Sequence, residues 1–216
     1  MDSDNCKPLE RKIRKFYEHL DMKVHQPTIP LYVVDRQGIK ERRVRNEGHH
    51  RVCDDHGSIL VLSEARGKTR FNTKPIYTTV EGEQHKLVSY SNVKEIMVLD
   101  GCARLYTGET LAHEMMHAWL ALEGYHNLTS EEEEGLCQVM AHKWLDSQIS
   151  AISKSKTAPS PQLDFERRLA KHLRHGIEAR TDDPYGTGFR LVKRATDMHG
   201  LKGTLDYIRM TGSFPR

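Results

Sequence analysis

Residues 110–120 read TLAHEMMHAWL, and this stretch decides how the chain folds. In a helix, His113 and His117 lie one turn apart on the same face. Both imidazoles can then bind one Zn²⁺, with Glu114 beside them as the base for a zinc-bound water. The opposite face carries apolar side chains that predict contact with a core: Leu111, Met115, Ala118 and Leu122.

The His-Glu-x-x-His pattern alone is a loose signal, and two further features strengthen it. The helix is apolar almost all round, so two histidines and a glutamate inside it would be costly to bury without a metal ion or hydrogen-bond partners. A suitable third ligand also follows in the sequence. The stretch therefore predicts a metal-binding helix.

The third ligand is expected from the acidic run that starts the next helix. Ser130 with Glu133 three residues later predicts a capping box, followed by a helix over 131–149. Glu134, just before Gly135, is then the expected third zinc ligand, with Glu133 as the alternative. Gly135 would let the two helices approach closely, and Gln138 would hold a ligand histidine by a hydrogen bond.

Composition sets limits on the class of protein. The chain has 216 residues, 37% hydrophobic and 29% charged, which suits one globular domain with polar loops. No apolar run approaches the roughly 20 residues of a membrane helix, and a net charge of +3 does not predict nucleic-acid binding. Four cysteines without a Cys-x-x-Cys pair indicate a reducing cytoplasmic or nuclear setting.

Periodicity and turn residues predict the remaining elements. An amphipathic helix is expected over 9–20, and a charged loop or an irregular hairpin over 36–56 that includes three histidines without ligand spacing. A polar loop is expected over 153–162 and a turn over 185–188. The other expected elements are strands over 29–34, 58–62, 76–80, 87–90 and 93–99, the zinc helix from Thr107 or Gly108 to Gly124, and helices over 164–180, 189–199 and 204–211.

Two of these helices have apolar stripes that predict which face is buried. His142 lies within the first of them and is expected to be a packed or surface histidine rather than a catalytic group. The inward residues are expected to be Met140, Ala141, Trp144 and Leu145 in the helix over 131–149, and Phe165, Leu169, Leu173 and Ile177 in the helix over 164–180.

Several of these segments together resemble a known family. Residues 107–120, 133–139 and 204–212, with the opening FYEHLDMKV at 16–24 and the closing GSFP at 212–215, are similar to the peptidase domain of the plant DA-one and DA-one-related proteins. The resemblance spans nearly the whole chain. It implies a single α+β, zincin-like domain of the gluzincin type, with a small mixed sheet over the zinc helix and a helical C-terminal half.

The resemblance also implies a function. Its members are ubiquitin-activated zinc metallopeptidases that limit cell proliferation and organ size by cleaving regulatory proteins, including RING-type ubiquitin ligases and a deubiquitinating enzyme. They usually carry ubiquitin-interacting motifs and LIM zinc domains upstream. This chain has no LIM cysteine pattern, so residues 1–24 are expected to be linker and N-terminal helix, and residues 25–216 the peptidase domain.

The expected mechanism uses Zn²⁺ held by His113, His117 and Glu134, with a fourth position open for water. Glu114 accepts the proton of that water and passes it to the leaving amine. A further hydrogen-bond donor should stabilise the oxyanion. Four side chains downstream of the zinc helix are candidates for that donor: Tyr125, His126, Tyr185 and His199.

Two other functions fit parts of the pattern. A Spartan-type protease of DNA-crosslinked proteins also has His-Glu-Met-x-His-Ala but takes a third histidine, and His126 is the nearby choice; Glu134-Gly135 would then have no explanation. A non-catalytic binding module would use zinc only to hold two helices together. Glu114 argues against that module, because a structural site needs no base.

Overall fold

The computed structural model describes residues 3–39, 50–53, 58–63, 77–80, 83–86, 92–125, 127–155 and 160–215. After one N-terminal helix, the strands come first and the long helices follow, and residues 36–39 form a short helical turn among the strands. The elements are α1 (Ser3–Glu18), β1 (Leu31–Val34), β2 (His50–Cys53), β3 (Ser58–Ser63), β4 (Tyr77–Val80), β5 (Glu83–Lys86), β6 (Asn92–Leu99), α2 (Arg104–Leu122), α3 (Ser130–Lys154), α4 (Pro161–Ala179) and α5 (Tyr185–Thr211). This order gives an α+β fold whose C-terminal half is helical, as the sequence predicts.

A small mixed sheet lies under α2. Its strand order is β1-β6-β3-β2, with β1 parallel to β6 and the other neighbours antiparallel. A separate antiparallel pair joins β4 to β5. Val93, Ile96 and Val98 of β6 are buried in the same core as the apolar residues of α2. The sheet therefore supports the helix that carries the two histidines.

Helices α2 and α3 form the centre of the core. The predicted apolar face of α2 is confirmed for Leu111, Met115 and Ala118, which have no exposed surface, while Leu122 at its end is only partly buried against the core. The core face predicted for α3 is confirmed as well: Met140, Ala141, Trp144 and Leu145 are all buried. Burying charged or polar groups between two such helices is costly unless they are paired, so the polar residues found there need an explanation.

The start of α2 differs from the prediction. The helix begins at Arg104, about one turn earlier than Thr107 or Gly108. Ala103 has an extended backbone, and its carbonyl accepts a hydrogen bond from the Thr107 amide at 3.0 Å, which closes the first turn. The added turn buries Leu105 in the core, and this packing outweighs the absence of a capping side chain.

The C-terminal helices also differ in extent. Residues 185–188, predicted as a turn, form the first turn of α5, and the two predicted helices join across a kink at Gly200. Gly200 has φ 73° and ψ 160°, outside the helical region. In α4, the predicted inward face is only partly correct, because Phe165 is 51% exposed while Ile177 is buried. The stripe faces the core at its C-terminal end and solvent at its beginning.

The remaining differences from prediction concern loops and the N-terminal helix. Residues 50–53, expected in a loop or an irregular hairpin, form β2 and pair antiparallel with β3. The partner of β4 is Glu83–Lys86, and the predicted strand over 87–90 lies outside the described residues. Helix α3 continues through Lys154 and α4 begins at Pro161, shortening the expected loop. Helix α1 begins at Ser3, within the expected linker, and Cys6 is fully buried.

Within the described ranges, every helix is too short or too polar to cross a bilayer.

Candidate metal centre

The two histidines of α2 lie side by side in the core. The ring centroids of His113 and His117 are 5.1 Å apart at an interplanar angle of 67°. Both side chains are buried. Helical spacing alone explains this proximity, because residues four apart share a face. The pair therefore presents two imidazole nitrogens toward the beginning of α3.

Helix α3 is capped one residue earlier than the sequence predicts. Thr129, not Ser130, is the N-cap, and its hydroxyl accepts a hydrogen bond from the Glu132 amide. The Glu132 carboxylate accepts a hydrogen bond from the Thr129 amide at 2.8 Å, which completes the capping box. The prediction that Ser130 and Glu133 form the box was wrong. Because Glu132 does the capping, Glu133 is available to the interior.

Glu133 is hydrogen-bonded to Nδ1 of His117, on the side of the ring that faces away from Glu134. Its Oε1 lies 2.8 Å from Nδ1 of His117. This contact with Nδ1 fixes the orientation of the ring, so that Nε2 is on the opposite side, toward Glu134. The group that positions this histidine is thus Glu133, in the role that the sequence assigned to Gln138. Gln138 itself is buried.

Glu134 lies between the two imidazoles. Its Oε2 is 3.2 Å from Nε2 of His113 and 3.5 Å from Nε2 of His117. Burial acts to raise the pKa of Glu134, but hydrogen bonds from both histidines and their positive charge outweigh it and hold this pKa well below the usual range. The carboxylate is therefore ionised, as a metal ligand must be.

These separations fit one shared ion. Ligand atoms about 2.0–2.2 Å from a tetrahedral zinc lie about 3.4 Å from each other. The two distances from Glu134 to the imidazole nitrogens, 3.2 and 3.5 Å, match that edge length. The Glu134 oxygen thus lies at a distance from each histidine at which the two could share an ion, and Glu133 contacts the other nitrogen of His117.

A cysteine that the sequence reasoning did not assign lies at the same place. The Cys137 thiol and one nitrogen from each of His113 and His117 all lie within 4.8 Å of one another, and all three residues are buried. This His-His-Cys group could hold a metal ion. The signal was present in the sequence, because Cys137 follows Glu134 by three residues and so lies on the same helix face.

Glu114 and Tyr17 of α1 are both completely buried. The Tyr17 hydroxyl donates a hydrogen bond to the Ala112 carbonyl at 2.6 Å. Burial, and then the negative charges of Cys137 and Glu114, raise the pKa of Tyr17 well above its usual value. The phenol therefore stays neutral, and α1 is fixed against the residue that precedes His113.

Among the oxyanion candidates that the structure describes, Tyr185 has a ring contact with a histidine of the site. Its ring centroid is 6.4 Å from that of His113, and the Arg180 guanidinium lies 4.3 Å from the centre of the tyrosine ring. The Tyr125 hydroxyl instead donates a hydrogen bond to the Leu205 carbonyl at 3.3 Å, and the His199 side chain is exposed. His126 lies outside the described residues.

Two glycines allow the helices to bring these groups together. A Cβ on Gly135 would lie 2.3 Å from the Gly188 carbonyl oxygen of α5. A Cβ on Gly108 would lie 2.1 Å from the ring of Trp144, where α2 meets α3. Real Cβ atoms do not approach so closely, so a larger residue at either position would push two helices apart.

One more carboxyl lies on the histidine face of α2. Glu109 precedes His113 by one turn, and burial raises its pKa to about 7 although the positive charge of Arg180 opposes the shift. Its environment is thus the reverse of that of Glu134, whose pKa is lowered. The two carboxyls show that donor pairing, rather than burial, decides which one is ionised at neutral pH.

Comparison with known proteins identifies relatives over the full length of the chain. A family model described as "DA1-like: Protein DA1" matches residues 19–211. Protein DA1 of Arabidopsis thaliana is 39% identical over the whole chain, and Protein DA1-related 1 of the same plant is 40% identical. LIM domain-containing protein HDR3 of Oryza sativa subsp. japonica is 36% identical.

The chain covers only part of these relatives. It spans 43% of Protein DA1, 42% of Protein DA1-related 1 and 47% of the rice protein, and all of this chain is included in each match. No solved structure matches the chain.

Proposed function

This chain belongs to the DA1-like family, and from that premise we propose that it is the zinc peptidase part of a larger plant growth regulator. The proposal rests on one observation above all. A single carboxylate oxygen of Glu134 lies within 3.5 Å of Nε2 on both histidines of a His-Glu-x-x-His helix. Two imidazoles and one carboxylate are a ligand set that catalytic zinc sites use.

The ligand set supports a fold of the zincin type, in which the glutamate comes from a second helix. His113, His117 and Glu134 would hold the ion. When bound, zinc supplies a Lewis acid that polarises a carbonyl and lowers the pKa of water to about 7. A site of this class hydrolyses peptide bonds when a base and an oxyanion donor are also present.

Glu114 is the base in this proposal. It follows His113 directly on α2 and is removed from solvent, where a carboxylate accepts a proton more readily than in water. It takes the proton of the attacking water and delivers it to the leaving nitrogen. Tyr185 is the donor that we assign to the developing oxyanion, because its ring lies 6.4 Å from that of His113, whereas the Tyr125 hydroxyl donates to the Leu205 carbonyl and His199 is exposed.

The substrates and biological role come from the family alone. We propose that the full-length protein cleaves regulatory proteins, among them RING-type ubiquitin ligases and a deubiquitinating enzyme, in the cytoplasm or nucleus. Ubiquitin would activate it, and cleavage would limit cell proliferation and organ size. This part of the proposal is supported by family membership, which the comparison shows over the whole chain. The chain itself corresponds to less than half of the length of these relatives.

The test compares Glu114→Gln with the unaltered chain, both saturated with zinc. Each protein is incubated with a proteome-derived peptide library, and mass spectrometry identifies the new N-termini. We expect Glu114→Gln to keep one zinc per chain and to lose cleavage by at least a factor of about 100, the order of a general-base effect. Glu131→Gln, which alters an exposed glutamate in the same acidic run, is the matched control. Equal cleavage by the Glu114→Gln variant and the unaltered chain would end the peptidase proposal.

A second candidate function has one observation in its favour. The thiol of Cys137 lies close to both histidines, and a site with four protein ligands would be structural, because structural zinc sites are closed. In that case zinc would only join α2 to α3 in a binding module. The same experiment separates the two functions, since a binding module releases no new N-termini.

A further inference from the structure

The unassigned thiol of Cys137 suggests a means of regulating the proposed peptidase site. We propose that Cys137 is a fourth protein ligand, which closes the metal site in the resting protein and leaves it when the enzyme becomes active. The inference rests on the proposed function, because a resting state has meaning only if the open state cleaves peptides. It concerns a residue outside the expected His-His-Glu ligand set.

The first argument is position. Cys137 follows Glu134 by three residues on α3, so thiol and carboxylate leave the helix on the same face. Cys137 is completely buried, and its sulfur lies no more than 4.8 Å from a nitrogen of each imidazole. The close contact between Gly135 and Gly188 fixes this turn of α3. One rigid turn thus brings both side chains to the histidines.

The second argument is distance. With Zn–S about 2.3 Å and Zn–N about 2.0–2.1 Å, the sulfur and nitrogen atoms of a tetrahedral site lie about 3.6 Å apart. The sulfur lies within 4.8 Å of a nitrogen on each ring, so each sulfur–nitrogen distance exceeds the tetrahedral value by at most about 1.2 Å, a difference that a small change in a side-chain torsion can close. The Glu134 oxygen already lies 3.2 and 3.5 Å from Nε2 of His113 and His117. The carboxylate is the permanent ligand and the thiol the one that enters and leaves.

The third argument is the number of ligands. A catalytic zinc site has three protein ligands and keeps its fourth position for water, whereas a structural site is closed by a fourth protein ligand. His113, His117 and Glu134 are the three ligands of the proposed site, so a thiolate from Cys137 would be the fourth and would take the position that water requires. Zinc accepts such a soft thiolate ligand readily.

Cobalt spectroscopy tests the ligand directly. The 216-residue chain is stripped of metal and loaded with one equivalent of Co²⁺, and its near-ultraviolet absorption is recorded. We expect a thiolate-to-cobalt charge-transfer band in the unaltered chain and its loss in Cys137→Ser. Cys102→Ser, which alters a partly exposed cysteine outside the site, should keep the band. An unaltered chain that binds cobalt without this band overturns the proposal, whether or not the variants fold.

Zinc competition and cleavage assays test the closed state. Cys137→Ser should bind zinc at least about tenfold more weakly. Removing a residue that only hydrogen-bonds to a metal ligand already weakens binding by about 10–100-fold, and removing a ligand should cost at least the lower of these values. At saturating zinc it should cleave the peptide library several-fold faster than the unaltered chain. Unchanged cleavage would overturn the closing role. If the cobalt band is present but neither the unaltered chain nor a variant cleaves peptides, the proposed function fails and the assignment of Cys137 as a ligand stands. If cleavage depends on Glu114 but the band is absent, the proposed function stands and the assignment of Cys137 fails.

Discussion

Helix α3 contributes to two histidine–carboxylate clusters, one buried against α2 and one with partly exposed carboxylates near α4, and their donor atoms are arranged differently. At its beginning, Glu134 presents one oxygen to the Nε2 atoms of two imidazoles. Further along, His142 has a carboxylate at each nitrogen: Asp146 lies 3.4 Å from Nδ1, and Glu178 of α4 lies 2.9 Å from Nε2. The residue types are similar, but the donor atoms converge in the first cluster and diverge in the second.

The second cluster also has its own cation. Arg174 lies 3.0 Å from Asp146 and 3.5 Å from Glu178, so it already supplies the positive charge that a metal would bring. The His142 ring packs against Phe189 with centroids 5.3 Å apart. These contacts make His142 a packed histidine, as its place in the sequence predicts. A metal site thus requires convergence of lone pairs on one point, rather than a count of ligand-type residues.

Removing one converging ligand should have the largest effect. His117→Ala deletes an imidazole that faces Glu134, and we expect zinc affinity to fall by more than about 100-fold, beyond the loss typical of an outer-shell partner. His142→Ala deletes an imidazole of the diverging cluster and should leave zinc affinity unchanged within about twofold. Competition with a chelating dye measures both. Equal losses in the two variants would remove the distinction between the clusters.

The helix approach that creates convergence can be broken without touching a ligand. Gly135→Ala places a methyl group 2.3 Å from the Gly188 carbonyl. We expect a loss of about 1–3 kcal/mol in the free energy of unfolding, from overpacking, and weaker zinc binding because Glu134 moves with its neighbour. Urea unfolding and zinc competition measure the two effects.

Gly176→Ala is the matched control for this substitution. Gly176 is a helical residue of α4 whose added methyl would meet nothing within 4 Å. Alanine there should stabilise the protein by about 0.5–1 kcal/mol through its higher helix propensity. A destabilising Gly176→Ala, or a neutral Gly135→Ala, would contradict the account of the helix contact.

The sequence predicts the converging site better than its surroundings because helical period fixes relative position within one element. Spacing places His113 and His117 on one face, and a second helix beginning near Glu134 follows from the acidic run and the cap. The cap was displaced by one residue because Thr129 and Ser130 both suit the position. This shift of the cap by one residue decides whether Glu133 caps the helix or forms a hydrogen bond with His117.

Features that depend on tertiary contact could not be predicted in the same way. Periodicity gives the apolar stripe of α4, but it does not say that Phe165 lies beyond the edge of the core. The first turn of α5 looked like a loop because it contains two glycines, yet Gly186 and Gly188 are there for close backbone contacts with Arg180 and Glu131. Cys137 was passed over because no second cysteine accompanies it in the sequence.

Glu109 provides a pH test that contrasts with the paired carboxyls. Its folded pKa of about 7 lies above the usual value of 4.5, so the native state binds the extra proton more tightly than the unfolded state. Its contribution to stability is therefore present below about pH 4.5 and is lost as pH rises to about 7. Glu109→Gln should be more stable than the unaltered chain at pH 8, by about 1–3 kcal/mol, and nearly equal at about pH 4.

Urea unfolding over this pH range shows the effect of Glu109 as a difference between two curves of stability against pH. Glu131→Gln, which alters an exposed position, should give a curve parallel to that of the unaltered chain. If the curves of Glu109→Gln and the unaltered chain stay parallel from about pH 4.5 to 8, the raised pKa of Glu109 is wrong.

The smallest expected effect belongs to the diverging cluster. A hydrogen bond from His142 lowers the pKa of Glu178, against a smaller opposing effect of burial, and the charge of Arg174 adds to the lowering. A depressed folded pKa stabilises the protein above the usual glutamate value and loses that contribution as pH falls below it. Because Glu178 is 40% exposed, solvent screening limits this contribution to the free energy of unfolding to under about 1 kcal/mol.

Glu178→Gln should therefore weaken the fold slightly at about pH 6, show no difference at about pH 3, and bind zinc with unchanged affinity. Weaker zinc binding in this variant would mean that the two clusters are coupled through α3, and that the ligand geometry depends on more of the helix than its first two turns.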